Sequence, residues 1–453
     1  MKLKRVLTLR TVVATSAGLT LASSSFLAAA QVANYILGDT AWIAILTGGI
    51  LCFLAAACFS ELNGLLPTAA GIRLYFSRAF NDQVSLTVSL LYMLIVIAGV
   101  LGVESYVIAQ VLHEAFPAVP PYLWIVLMLL TVTGMNIRGI KIAGVFQDVI
   151  TYGLLISLVV FGSIALYQAG FHLNAPLSPG GAGGIISAVA VGVFLFVGFE
   201  WVTPLAEEVT GVHLIAKGMM ISLGLLSVAY AVFTVAMADV VPKEALAGAS
   251  APQMLFARAV LGDTGVAWML AVSLAASITT FNAGLISASR FMYASAREQV
   301  LPAVFSRVSM RFFTPWAAIL TLFLIGLAVS AVTLLTGRYL VLVELAAAME
   351  SIVYVLAGLA VISLRRRLPD VPRPYRIKGG PLVPALTVVV FAVLAATVCA
   401  SNLWVLADLA AACLVTLLYV NTVVPYLKKK HQERRPAGRR RPVKSTESTG
   451  GER

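Results

Sequence analysis

The chain has 453 residues, of which 60% are hydrophobic and only 11% charged, and it carries a formal net charge of +12. No soluble domain needs that much apolar surface, and apolar runs of about 20 residues recur along almost the whole length, so the chain reads as an all-α, polytopic membrane protein. The positive charge does not mark a nucleic-acid partner, because its distribution follows the membrane. With a cytoplasmic N-terminus, 29 of the 32 Lys and Arg fall on the cytoplasmic side and only Lys243, Arg258 and Arg338 fall outside. That asymmetry predicts a multi-pass protein of the inner (plasma) membrane with both termini cytoplasmic and its basic loops against anionic lipid.

Twelve transmembrane helices are predicted, at approximately 11–36, 41–60, 84–112, 122–136, 143–167, 184–206, 218–241, 264–290, 315–335, 339–364, 382–402 and 405–426. The first follows basic residues in the manner of a signal peptide, but it is too long and too poor in a cleavage site, so it is expected to be a retained helix. It carries Ala22, Ser23, Ser24, Ser25 and Phe26 at mid-span. Serines in a membrane helix often bond back to the preceding turn. Three in succession cannot all face one neighbour, and a local unwinding there would aim free amides and a helix N-terminus at an anionic group.

In span 3, Tyr92 and Glu104 stand twelve residues apart, roughly 18 Å along a helix, too far to share one small ligand. Tyr92 is a candidate cavity-lining residue, and Glu104 is expected to be hydrated toward the outer half. Span 6 is the most informative stretch. Val191 to Glu208 reads VGVFLFVGFEWVTPLAEE, with Gly198 and Glu200 mid-span and Pro204 within two turns. An interrupted helix is tolerated in hydrocarbon only where it is buried in protein or lines a watered cavity, and a carboxylate at that depth is a functional-site hypothesis. The alternative is a kinked span with Glu200 bonded to a neighbouring helix.

The segments 171–184 and 239–262 are Gly-, Pro- and Ala-rich and read as external loops. Span 8 offers Ser273, Ser277, Thr279 and Thr280, as hydroxyls for a cation near span 1 or as ordinary interhelical bonds. Span 10 holds Glu344, near its outer end beside Arg338, and the deeper Glu350. A carboxylate placed like Glu350 can carry a proton, act as counter-ion to a cationic substrate, or pair with packing groups. Spans 11 and 12 carry only Asp408, and the basic tail 427–453 reads as disordered.

Spans 1 and 6 each open a block of five spans, and paired interruptions in corresponding positions point to an inverted-repeat transporter with its site at the midplane. The motifs resemble those of the amino acid–polyamine–organocation (APC) superfamily, in particular bacterial amino acid permeases. Ala22–Phe26 stands where that family has a G-S-G-I-F motif. Phe194, Phe196, Gly198, Phe199, Glu200, Glu207 and Glu208 match its span-6 pattern. Glu61 to Phe80, Asn136 to Thr151, Phe281 to Pro302 and the basic stretch after span 10 follow in the family's order.

The resemblance implies a LeuT-type 5+5 inverted repeat with discontinuous helices 1 and 6 plus two extra helices. The transport core would be 1–364 and the peripheral part 365–426. It implies a substrate carboxylate received by Ser23 to Phe26 and an amino group received around Phe194, Val197, Gly198 and Glu200, with Phe194 as an aromatic gate. Members that couple protons through a span-5 lysine have it where Leu154 stands here, after Gln147 and Thr151, which puts that mechanism in doubt.

Nothing in the sequence points to an enzyme. The histidines His113, His172, His213 and His431 are scattered, there is no phosphate-binding or zinc spacing, and Cys52, Cys58, Cys399 and Cys413 lie within spans without ligand spacing. No cofactor and no metal is expected. The expected function is secondary active transport of amino acids or related amines by alternating access, coupled to protons or working by exchange. Glu200, Glu350, Thr279 and Thr280 are the coupling candidates, and the carboxylates rank above the hydroxyls. The alternatives are a substrate-binding nutrient sensor with little flux and a cationic amino acid or polyamine antiporter. A monomer or homodimer is expected.

Overall fold

The structure, a computed structural model, describes residues 5–35, 41–170, 188–189, 191–249 and 251–433. Its helices are α1 (Leu9–Thr20), α2 (Ser23–Tyr35), α3 (Ala41–Leu65), α4 (Ile72–Ala79), α5 (Asp82–Ala115), α6 (Pro121–Arg138), α7 (Ile140–Ala169), α8 (His213–Val240), α9 (Lys243–Gly248), α10 (Pro252–Arg297), α11 (Trp316–Thr336), α12 (Tyr339–Arg367), α13 (Leu382–Ser401) and α14 (Leu403–Glu433), with 3-10 helices at Phe199–Glu207 and Ala303–Ser306. Ten of the helices are long and apolar enough to cross a membrane. Counting α1 and α2, bent by 55° at their junction, as one broken span makes eleven among the described residues.

The sixth predicted span, 184–206, is not among these. Residues 184–187 and 190 lie outside the described residues, and the remainder is a short helical piece over 191–194, a turn over 195–198 and then the 3-10 helix. Two loop expectations meet different ends. The segment 171–184 lies outside the described residues, whereas 239–262 holds α9 and the first turns of α10, with a break in the helical backbone at Leu261–Gly262. Pro252 starts that helix at a position where its missing N–H costs nothing. Phe256, packed edge-on against Phe161 and Phe233, supplies the burial that a loop would lack. The predicted tail falls on α14 up to Glu433, and the rest of it lies outside the described residues.

Helix α1 is the axis of the packing. Every residue from Thr11 to Thr20 is buried, and the helix lies against α7, α8, α10 and the 3-10 helix of the sixth span. Backbones meet where α3 crosses that span, and a Cβ on Gly48 would come within 2.5 Å of the carbonyl carbon of Gly192. Such close approach is how small residues bring membrane helices together in the absence of a hydrophobic driving force. By contrast α13 and α14 are the least buried of the spans, packing on α12 and α3 and on α5 and α12 respectively.

The face that carries the basic loops is tied by ion pairs. Arg365 grips both carboxylate oxygens of Glu61 at 2.8 and 2.6 Å, Arg297 does the same to Glu207 at 2.9 and 2.6 Å, Arg10 meets Asp148 at 2.7 Å, and Arg73 meets Glu298. At the end of the sixth span Arg290 Nε donates to Glu208 at 2.7 Å with both side chains fully buried. The Glu208 carbonyl in turn accepts the amides of Val6 and Leu7 at 2.8 and 3.0 Å, so the N-terminal segment is latched to the same point.

A buried charge left without its partner is costly, whereas replacing both partners by apolar groups often is not. Arg290→Ala is therefore expected to lower stability by about 3–5 kcal/mol, with the Arg290→Met/Glu208→Leu double variant recovering most of the loss. Thermal unfolding in detergent checks the order of the three proteins. Gly48→Val, which forces a side chain into the α3 crossing, is expected to cost about 1–3 kcal/mol in the same assay, and Gly134→Ala, with open space around its Cα, no measurable stability.

Candidate functional site

Breaking a membrane helix frees carbonyls on one side of the break and amides on the other, and each must find a partner. At the junction of α1 and α2 side chains of α2, α5, α8 and α10 supply partners to the Gly18, Thr20 and Leu21 carbonyls and to the Ser23 and Ser24 amides. Thr280 Oγ1 donates to the carbonyls of Gly18 (3.2 Å) and Leu21 (3.4 Å), and Ser25 Oγ and Tyr230 Oη donate to that of Thr20 at 3.0 and 2.9 Å. On the other side the amides of Ser23 and Ser24 donate to the two oxygens of Glu104, at 2.8 and 3.1 Å. Ser277 Oγ adds a third bond to Glu104 at 2.5 Å.

This corrects the sequence expectation for Glu104. It is not hydrated in an outer vestibule but 1% exposed, because the amides at the start of α2 supply what water would otherwise supply. The break also sits slightly earlier than the serine run suggests, at Leu21–Ala22, with Ser23 to Ser25 already in the first turn of α2. The carboxylate at that helix start is also the arrangement that the helix dipole favours.

In the sixth span the helical bonding shortens. Leu195 still donates four residues back to Val191 at 3.3 Å, whereas Phe196 and Val197 donate only three back, to Val193 and Phe194, at 3.0 and 3.2 Å. Gly198 then takes a left-handed φ of 105°, and a Cβ there would come within 3.3 Å of Leu19, so glycine is required by both conformation and space. The chain resumes as a 3-10 helix that carries Glu200 in its first turn.

Glu200 meets two tyrosines. Tyr354 Oη donates to its Oε2 at 2.7 Å, and the Tyr92 hydroxyl contacts its Oε1 while lying 2.8 Å from Glu350 Oε2. Trp201 stacks on Tyr92 with ring centroids 5.0 Å apart. Two carboxyl groups therefore share one phenol, which has a single proton to donate.

Between the two breaks lies a cavity of about 70 Å³. Ala22 borders it from the first break, Ser24 and Ser25 from α2, Phe194 and Val197 from the sixth span, and Glu104, Thr280 and Glu350 from α5, α10 and α12. An apolar cavity of about 50 Å³ adjoins it, sharing Leu19, Val96 and Val100.

The remaining sequence candidates lie elsewhere. Ser23 turns its hydroxyl to the Ser273 carbonyl at 2.9 Å. Phe26 packs on Phe233 at 5.3 Å. Tyr92 and Glu200 border a separate space of about 10 Å³, and Gly198 acts through the backbone. Thr279 belongs to a polar knot with Gln147 (2.5 Å) and Thr151 (3.0 Å), in which Leu154 has no part although it is buried nearby in α7. Glu344 accepts from Asn402 at 2.7 Å rather than pairing with Arg338.

Tyr354 and Arg290 were missing from the sequence reading. Tyr354 stands four residues after Glu350, hence on the same helix face, a signal that could have found it. Nothing local marks Arg290 as the partner of Glu208, 82 residues away. Among the described residues no cluster of His, Cys, Asp and Glu could hold a metal ion.

Comparison with known proteins agrees with this architecture. A family described as amino acid permease matches residues 7–424. The branched-chain amino acid permease BcaP of Bacillus subtilis is 25% identical over 370 residues, 76% of this chain and 78% of that protein. The human Asc-type amino acid transporter 1 is 26% identical over 377 residues, 79% of this chain and 70% of its own length. The methylthioribose transporter of Bacillus subtilis is 24% identical over 390 residues, 82% and 83% of the two chains. With a family match that runs from the first helix to the last, the chain belongs to the amino acid permease family, a membrane permease and not an enzyme.

Proposed function

We propose that the protein is a secondary transporter of amino acids or related amines that works by alternating access, with spans 1–5 and 6–10 as an inverted repeat around the central cavity. The observation that carries this reading is that one cavity is bordered by both helix breaks, the arrangement by which discontinuous helices hold a substrate at the midplane. The named substrates of the relatives, which include branched-chain amino acids, support it. Ser24, Ser25, Phe194 and Val197 line the substrate space, and the packing of α1 on the sixth span makes the two broken spans a unit that can rock against its surroundings. Such a cycle needs no chemistry, only two conformations close in free energy and a ligand with differential affinity for them.

For coupling, the geometry favours protons over sodium. Tyr92 stands between Glu200 and Glu350, and holding two carboxyl groups against one phenol takes one proton more than the phenol supplies. That extra proton is the natural cargo, and Glu350 alone of the pair also reaches the cavity. The hydroxyls of Thr279 and Thr280 are engaged with protein groups.

Uptake of radiolabelled amino acids and amines into proteoliposomes tests this. An inward proton gradient is expected to drive accumulation and a sodium gradient none. Glu200→Gln is expected to reduce proton-driven accumulation to downhill equilibration, with exchange retained, and Glu350→Gln, at the cavity itself, to lose accumulation and weaken exchange as well. Tyr92→Phe is expected to fall between them and the wild type. Accumulation by both carboxylate variants would refute coupling through this pair, and specific binding without flux would favour a sensor.

A further inference from the structure

The anion seat of this cavity is already filled by the protein. The Ser23 and Ser24 amides are the free donors at the start of α2, and both are spent on Glu104, whose Oε1 also takes the Ser277 hydroxyl. A helix N-terminus stabilises one negative charge at its end. A second carboxylate brought there would find its donors occupied and would meet a like charge in a site of low dielectric.

At the other border of the same cavity stands Glu350. It is 1% exposed, and its Oε1 is buried with no hydrogen-bond partner, although Oε2 is held by Tyr92. A buried carboxylate oxygen left open is a place for a donor, and the indole N–H of Trp201, likewise buried without a partner, is the chain's own competitor for it. The wall between the two carboxylates is apolar, made of Val96, Val100, Val103, Val343 and Ala346. The lining thus offers two acidic side chains, apolar groups and the hydroxyls of Thr20, Ser24, Ser25 and Thr280, of which Thr20, Ser25 and Thr280 already donate to backbone carbonyls, and no Lys, Arg or His that could receive an anion.

Resting on the transport reading above, we propose that the substrate is a small organic amine without a free carboxylate: its ammonium donates to Glu350 Oε1, its apolar body lies along Val96, Val100 and Ala346, and Glu104 excludes the carboxylate of an amino acid. The Glu104 side chain takes the place of the acid half of a zwitterion and leaves the amine half to the ligand. Its charge adds to the attraction for a cation.

Matched pairs that differ only by the carboxylate test this: alanine against ethylamine, leucine against isoamylamine, and lysine against cadaverine. Each is measured with the full-length protein by displacement and thermal shift in lipid nanodiscs and by uptake into proteoliposomes. In every effective pair the amine is expected to bind more tightly than its acid by at least about tenfold, which is 1.4 kcal/mol. Glu104→Gln, which removes the charge and keeps the shape, is expected to shrink that ratio toward unity, chiefly by improving the acid. The wild-type comparison stands whether or not the variant folds. An acid that binds as well as its amine overturns the inference and leaves the transport reading intact. Folded protein that takes up neither series overturns both.

Discussion

A peptide group cannot be left bare inside a bilayer, and this structure is arranged around meeting that demand at two places where a helix is interrupted. At the first break the carbonyls are taken by Thr280, Ser25 and Tyr230 and the amides by Glu104, which together draw in α5, α8 and α10. Each unsatisfied group would cost several kcal/mol in hydrocarbon, so the break and its partners must have come as a set. The second break uses a glycine that only the left-handed region accommodates, with Leu19 of the first span closed over it.

The same need explains why so many buried polar groups converge at the centre of a chain this apolar. Glu200, Glu350, Tyr92 and Tyr354 meet across three elements, and the Gln147, Thr151, Thr279 and Asn282 knot joins α7 to α10. Networks of this kind fix relative positions more than they add stability. The ion pairs and the N-terminal latch at the basic face are of a different sort. Of these, the Arg290–Glu208 and Arg297–Glu207 pairs and the latch of Val6 and Leu7 on Glu208 fix the end of the sixth span.

The spans and the two interruptions could be read from the sequence because each leaves a local mark: an apolar run of fixed length, a glycine and a carboxylate inside it, three serines in a row. What the interruptions bond to left no such mark. Glu104 lies 81 residues from Ser23, and sequence spacing suggested only that it was far from Tyr92, which is true and uninformative. The stretch 239–262 looked like loop because Gly, Pro and Ala dominate it, yet proline also starts helices and Phe256 had somewhere to bury itself. The candidates Phe26, Thr279 and Gly198 lie near the site for the same reason, since a motif marks a neighbourhood and tertiary contact decides which of its side chains face the cavity.

An experimental structure in lipid nanodiscs with a saturating amine tests the central claim most directly. The account predicts that the first span is broken at Leu21–Ala22, that Glu104 remains on the Ser23 and Ser24 amides, and that ligand density fills the cavity between the two breaks with its nitrogen at Glu350. A first span that runs unbroken through these residues, or a ligand bound away from both interruptions, would contradict it.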